Sequence, residues 1–234
     1  MKKVLARAGL AVAGMTVALA ASAVPADGQV PYTYGVSIDA RGLITEVRAP
    51  AGVPAATDAV LREHIQGVRL VPHGSGNGEE GRSHVRFVVE DCAHPRVVSM
   101  QSGAAPLQWA SPEYPRRAQS AGNEGVVVLS VEVAADGSVA STQVLQVQGD
   151  VTRDMASAAL AASRGWRFSP ERVAGRPVAA SLLVPVCYFI SRNADQACSW
   201  QRPDNGQWMA GASIVDRRPA FSLAAGAIAY QSEH

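Results

Sequence analysis

Apolar positions alternate with polar or small ones twice along this chain, and each time the alternation turns on a glycine. Between Glu124 and Val147 the sequence reads EGVVVLSVEVAADGSVASTQVLQV, which puts Val127, Leu129, Val131 and Val133 on one face. That period of two is the mark of a strand with one buried side. Asp136-Gly137 then marks a hairpin turn, because glycine accepts positive φ at little steric cost. Tyr32–Pro50, YTYGVSIDARGLITEVRAP, repeats the design around Arg41-Gly42. A helical period follows each hairpin. The first helix is expected over Thr57–Gln66, with Thr57 as N-cap and Val60, Leu61 and Ile65 as its apolar stripe. The second is expected over Thr152–Arg164, where Met155, Ala159, Leu160 and Ser163 recur at helical spacing. Both end on one phrase, Gly67-Val68-Arg69-Leu70-Val71-Pro72 and Gly165-Trp166-Arg167-Phe168-Ser169-Pro170. Glycine stops the helix and proline prevents its resumption. A third strand closes each copy, over Ser83–Glu90 and Pro177–Phe189.

The order strand, strand, helix, strand, read twice, predicts an α+β protein of two tandem domains. Each would be a three-stranded antiparallel sheet packed on a helix. The expected boundaries are 30–91 and 111–190, with a Ser-, Gly-, Gln- and Pro-bearing linker over 92–110. Domains this small bury too little surface to be robust alone, so the two are expected to pack together. A tail over 191–234 carries Trp200, Trp208 and the turn signal Pro203-Asp204-Asn205-Gly206. Its apolar stretch Ala220–Tyr230 is read as an extra strand on the second domain. Residues 1–23 read differently from the rest. Lys2, Lys3 and Arg7 precede an apolar run that ends at Ala21-Ser22-Ala23, the pattern of a cleaved secretory signal peptide. The apolar run is short for a span of the hydrocarbon core, which needs about 20 residues.

Over Ser111–Ile190 a series of phrases resembles the C-terminal domain of the TonB family of periplasmic energy transducers. They are Pro112-Glu113-Tyr114-Pro115-Arg116-Arg117-Ala118, Gly122, Glu124-Gly125, the Asp136-Gly137 turn, Trp166–Pro170, Gly175-Arg176-Pro177-Val178 and Val184-Pro185-Val186. The first copy resembles a degenerate version, keeping the hairpin glycine and the G-x-R-x-x-P ending without the Tyr-Pro opening. The resemblance implies two tandem TonB-like domains in the periplasm of a Gram-negative bacterium. It implies capture of a peptide or protein by β-strand addition, the partner being a segment of an outer-membrane TonB-dependent receptor. The implied partner-binding residues are Ser181, Leu182, Leu183, Val184, Val186, Cys187 and Tyr188 on the third strand, with Gln108 nearby. Pro185, which cannot donate a ladder bond, suits an edge position. The family's anchor and long proline-rich spacer have no counterpart in the readable pattern. A binding module is therefore favoured over an energy-transducing component that works with an anchored partner, and over a periplasmic enzyme.

Composition narrows the chemistry. Of 21 basic residues only Lys2 and Lys3 are lysine, so signal cleavage leaves none, which removes lysine-nucleophile and phosphate-loop mechanisms. The same cleavage takes the formal charge from +1 to −2. Dispersed arginines and near-neutral charge argue against nucleic acid. The glycine-rich His73–Gly78 follows a helix, whereas a phosphate cradle precedes one. His73, His84, Cys92 and His94 match no zinc spacing, and neither a metal nor another cofactor is expected. No nucleophile-base pattern is present, so no catalytic residue is assigned. Three cysteines in an oxidising compartment suggest one disulfide. Cys187–Cys198 would pin the tail to the last strand, while Cys92–Cys187 would staple the domains. The first pairing is preferred and the second stays open.

Overall fold

The computed structural model describes residues 29–73, 78–90, 94–190, 198–210 and 213–224. The expected signal peptide and Cys92 lie outside the described residues. The first unit comprises β1 (Val30–Ile38), β2 (Ile44–Arg48), α1 (Ala55–Gln66), β3 (Leu70–Pro72) and β4 (Gly81–Glu90). β5 (Arg96–Gly103) and β6 (Ala105–Gln108) follow. The second unit holds α2 (Arg116–Ala121), β7 (Gly125–Val133), β8 (Val139–Gly149), α3 (Arg153–Ser163), β9 (Arg167–Ser169), β10 (Arg172–Val173), β11 (Arg176–Pro177) and β12 (Ala180–Tyr188). The tail adds β13 (Ser199–Gln201), β14 (Trp208–Ala210), β15 (Val215–Asp216) and β16 (Phe221–Leu223). The fold is thus mixed, mostly strand with few helices.

The two hairpins are built alike down to single hydrogen bonds. The Gly42 N–H donates to the Asp39 carbonyl and the Gly137 N–H to the Ala134 carbonyl, each at 2.9 Å. Both glycines sit in the left-handed region, at φ 81° and 83°. The Leu70 N–H then donates to the Gly42 carbonyl at 3.0 Å, and the Phe168 N–H to that of Gly137 at 2.9 Å. A Cβ on Gly42 would stand 2.1 Å from the Leu70 oxygen, and one on Gly137 would stand 2.0 Å from the Phe168 oxygen. Only glycine satisfies both the dihedral and the close approach, so each hairpin turn is locked to the chain after its helix. In each unit the central strand lies between its hairpin partner and the third strand: β2-β1-β4 and β8-β7-β12, all antiparallel.

α3 starts where expected. Thr152 is its N-cap, its hydroxyl accepting from the Met155 N–H at 3.4 Å. In α1 the cap falls earlier. Pro54, extended at ψ 142°, precedes a helix that opens at Ala55, so Thr57 is inside the first turn and buried. Proline fits there because the first helical N–H groups lack intrahelical partners.

The sheets exceed three strands because the linker and tail are themselves stranded. β5 pairs with β4 from His84 to Glu90, and β10 joins β4 at Gly81 and Arg82, giving a six-stranded sheet. β15 pairs with β12, giving a sheet of four. The remaining strands cross between units. β6 pairs with β9 in the second unit, while β16 pairs with β3 in the first. The expected extra strand near Ala220 is therefore present over Phe221–Leu223, but it serves the first unit. The reason is packing: Phe221 is fully buried in the first unit's core with Leu61, Ile65 and Phe87. A second core joins β7, β12 and α3 around Leu129, Met155, Trp166 and Leu182. A third, on the opposite face of that sheet, sets Val126, Val128 and Leu183 against Trp200 and Met209 of the tail.

Candidate partner-binding groove

β12 is the strand on which the implied partner-binding residues fall. Leu182, Val184, Val186 and Tyr188 face the α3 core, and Leu183 faces the tail. Ser181 is buried too, and Cys187 is partly so. Both faces of β12 are covered. The cause is the tail, whose β13–β14 hairpin lies on the second face and is tied to β12 by a Cys187–Cys198 disulfide with a Cα separation of 5.8 Å. The side chains of Ser181, Leu182, Leu183, Val184, Val186 and Tyr188 are therefore enclosed, and only main chain along the edge can be offered outward.

Part of that edge is in use. Leu182 and Leu183 pair with Asp216 and Val215, and the Arg217 N–H donates to the Ser181 carbonyl at 2.8 Å. The Arg217 guanidinium secures this seam, reaching the Ser181 hydroxyl at 2.6 Å, the Ser130 hydroxyl at 2.8 Å and the Glu132 carboxylate at 3.1 Å. Among the described residues the ladder on this side ends at Leu183. Strand alternation turns the Pro185 carbonyl and the Cys187 N–H and carbonyl to the same side.

Beside that stretch runs a groove of about 460 Å³, bounded by Pro185–Phe189 on one side and by Pro31, Val88, Trp109 and Tyr114 on the other. It continues into a smaller cavity of about 260 Å³ that reaches Pro106 and Ile214. Gln108 closes β6 opposite Arg167 and is exposed; its neighbour Trp109 forms the groove wall. The Trp109 ring stacks on Trp166 with centroids 3.9 Å apart and planes 12° from parallel. The Trp166 indole N–H donates to the Ala110 carbonyl at 2.8 Å, fixing the chain that carries Trp109. Sequence reasoning passed over Trp109, since an isolated aromatic in a segment read as a linker has no periodic partner to mark it. Tyr114 packs edge-on against Tyr188, 5.2 Å between centroids, and the Tyr188 hydroxyl donates to the Met155 carbonyl at 2.8 Å. Burial raises the Tyr188 pKa to about 12, so this hydroxyl stays a donor throughout the physiological range.

A buried polar seam lies behind the cavity. Arg86 of β4 donates to the carbonyls of Ala104, Ser102 and Ile214, the latter two at 3.1 and 3.0 Å. Burial lowers its pKa to about 10, which still leaves it charged. Glu171 accepts from the Ser83 hydroxyl and from the Ala220 N–H, both at 2.5 Å. Burial nevertheless raises its pKa to about 7. Burial also raises Asp216, and it pushes His84 down to about 4 with help from the Arg86 charge. Among the described residues no three His, Cys, Asp or Glu side chains gather as a metal site would require, and no helix is long and apolar enough to cross a membrane.

The second unit is thus a helix-backed antiparallel sheet whose third strand keeps a stretch of edge beside an apolar groove. Residues 110–190 match the family model described as Gram-negative bacterial TonB protein C-terminal, and this segment of the chain belongs to that family. Protein TonB of Xanthomonas campestris pv. campestris is 38% identical over 80 residues, covering 34% of this chain and 35% of that protein. Protein TonB of Vibrio cholerae is 36% identical over 75 residues, covering 32% and 30%. This chain spans about a third of the length of the curated relatives it matches. The solution NMR structure of the Pseudomonas aeruginosa TonB CTD is 33% identical, with a TM-score of 0.32, covering 38% of this chain and 88% of that one.

Proposed function

We propose that this protein is an exported, periplasmic, non-catalytic module that captures an extended peptide or protein segment by strand addition to β12. The observation that carries the reading is the outer edge of β12 beyond Leu183, which belongs to the TonB-family segment and runs beside the groove. The first unit supports it from within the chain. There the topologically equivalent edge, that of β4, already accepts a strand, β5, from His84 to Glu90. On this reading the first unit is a degenerate copy of the second whose edge the linker has closed, and the second is the one that binds. The partner would be a segment of an outer-membrane TonB-dependent receptor, held by main-chain hydrogen bonds.

Titration of receptor N-terminal peptides into isotope-labelled protein tests this. Shifts are expected at Cys187, Tyr188 and Phe189 and at the Trp109 indole. A titration that leaves the whole of Ala180–Phe189 unmoved overturns strand addition.

A further inference from the structure

We propose that the cavity at the end of the groove is a specificity pocket that seats one large, uncharged apolar side chain of the captured segment. The inference rests on the strand-addition reading and adds what the partner must carry. Its walls come from every part of the chain: Pro31 and Val88 from the first unit, Pro106 and Trp109 from the linker, Pro185 from β12, and Ile214 from the tail. The second unit alone cannot make it.

Three observations set the occupant. The first is continuity: Pro31, Val88, Trp109 and Pro185 border both the cavity and the groove beside β12, so a strand laid along Pro185–Phe189 passes its mouth. The second is size. At about 260 Å³ the cavity falls below the roughly 300–1,000 Å³ of sites that enclose a whole small molecule, and suits a single side chain. The third is charge. Among the described residues that line it Arg86 is the one ionisable side chain, and the guanidinium's two terminal nitrogens are held by the carbonyls of Ala104, Ser102 and Ile214. An ammonium entering here would meet Arg86 as a like charge, and a carboxylate would find that charge already shared with Asp216 and Glu171, whereas an aliphatic or aromatic group gains burial. Pro185 sharpens the division of labour. It offers a carbonyl but no N–H to an added strand, so the segment opposite Pro185 gains one backbone bond fewer than at Cys187 and leans more on its side chain.

The test uses the full mature chain and a series of capped eight-residue Thr/Ser host peptides with one central guest: Gly, Leu, Phe or Asp. Amide shifts at Cys187 and Tyr188 report strand addition. Intermolecular NOEs between the guest and the Ile214 methyls report the pocket in the unmodified protein. Phe and Leu guests are expected to bind at least tenfold tighter than Gly or Asp and to show those NOEs. Ser99→Phe, which fills the cavity from its far wall, should erase the guest preference while shifts at Cys187 persist. Shifts at Cys187 and Tyr188 with no dependence on the guest overturn the pocket and leave strand addition standing. Guest-dependent binding that leaves both residues unmoved keeps the pocket and overturns the strand.

Discussion

Glu171 and His84 lie on opposite sides of one ledger of protons. Glu171 has a folded pKa of about 7 against an ordinary 4.5, so the native state holds its proton more tightly than the unfolded chain does. Its contribution to stability is fully present below about pH 4.5 and is lost as pH rises toward 7. His84 is depressed from 6.5 to about 4, so its effect runs the other way, full above 6.5 and lost as pH falls toward 4. Each shift corresponds to at most about 3 kcal/mol, and between pH 4.5 and 6.5 the two slopes oppose each other. The unmodified protein should therefore show a shallow stability profile in that window. Glu171→Gln should steepen it, with the urea midpoint rising with pH, and should raise stability at pH 8. His84→Gln should tilt it the other way. Urea titrations at pH 4.5, 5.5, 6.5 and 8 check this; parallel profiles for all three proteins would contradict it. The groups that act on Glu171 are the Ser83 hydroxyl, the Ala220 N–H, Asp216 and Arg86, and the cost of burial outweighs what they return.

At the scale of elements, the tail hairpin is held on the second sheet by the packing of Trp200 and Met209, by a disulfide and by the Gln148 side chain. Cys187–Cys198 closes a separation of 11 residues, and Gln148 exchanges two hydrogen bonds with the Gln201 backbone, at 2.9 and 3.1 Å. Cross-links of that loop length contribute about 2–3 kcal/mol. Reduction should lower the urea midpoint by that order and raise the exposure of Trp200, which is now fully buried; quenching of tryptophan fluorescence by acrylamide reads the second effect. The elements also show what a sequence reveals. The hairpins, both helices and their glycine-proline endings were legible because their chemistry is local: Gly42 and Gly137 bond to residues of the same unit. The pairing Cys187–Cys198 was favoured on short separation alone. β5, β6 and β15 were not legible, and the strand expected near Ala220 was assigned to the wrong unit. None of the three interrupts a periodic pattern, and Phe221 meets its ladder partner Pro72 from the far end of the chain. The groove shared that fate, since its walls converge only once these crossings are made. The resemblance set the partner-binding residues from Ser181 onward, and nothing in Val215–Arg217 announces the strand that covers the first of them.

For the whole molecule, the two units form one fabric. The linker strand β6 completes the second unit and the tail strand β16 completes the first, while β10 extends the first unit's sheet. Phe221→Ala makes this measurable. It deletes a fully buried ring from the first unit's core, and such truncations cost about 3–5 kcal/mol. Because the ring's chain also carries β15 on β12, the variant should unfold the second unit at lower denaturant as well. Backbone NMR signals from Val85 and from Leu129 are expected to disappear together in urea. Loss of the first with the second retained would show two independent units.

Arg217 and β15 have a meaning that reaches past stability. A fragment cut to the TonB-family segment would end before them and leave the main chain at Ser181–Leu183 bare beside the stretch that is already open. A long unguarded strand edge is a template for joining like molecules into sheets. With the tail in place, that template shrinks to the stretch beyond Leu183. The strand that covers the start of the β12 edge thus also removes part of a surface on which like chains could pair.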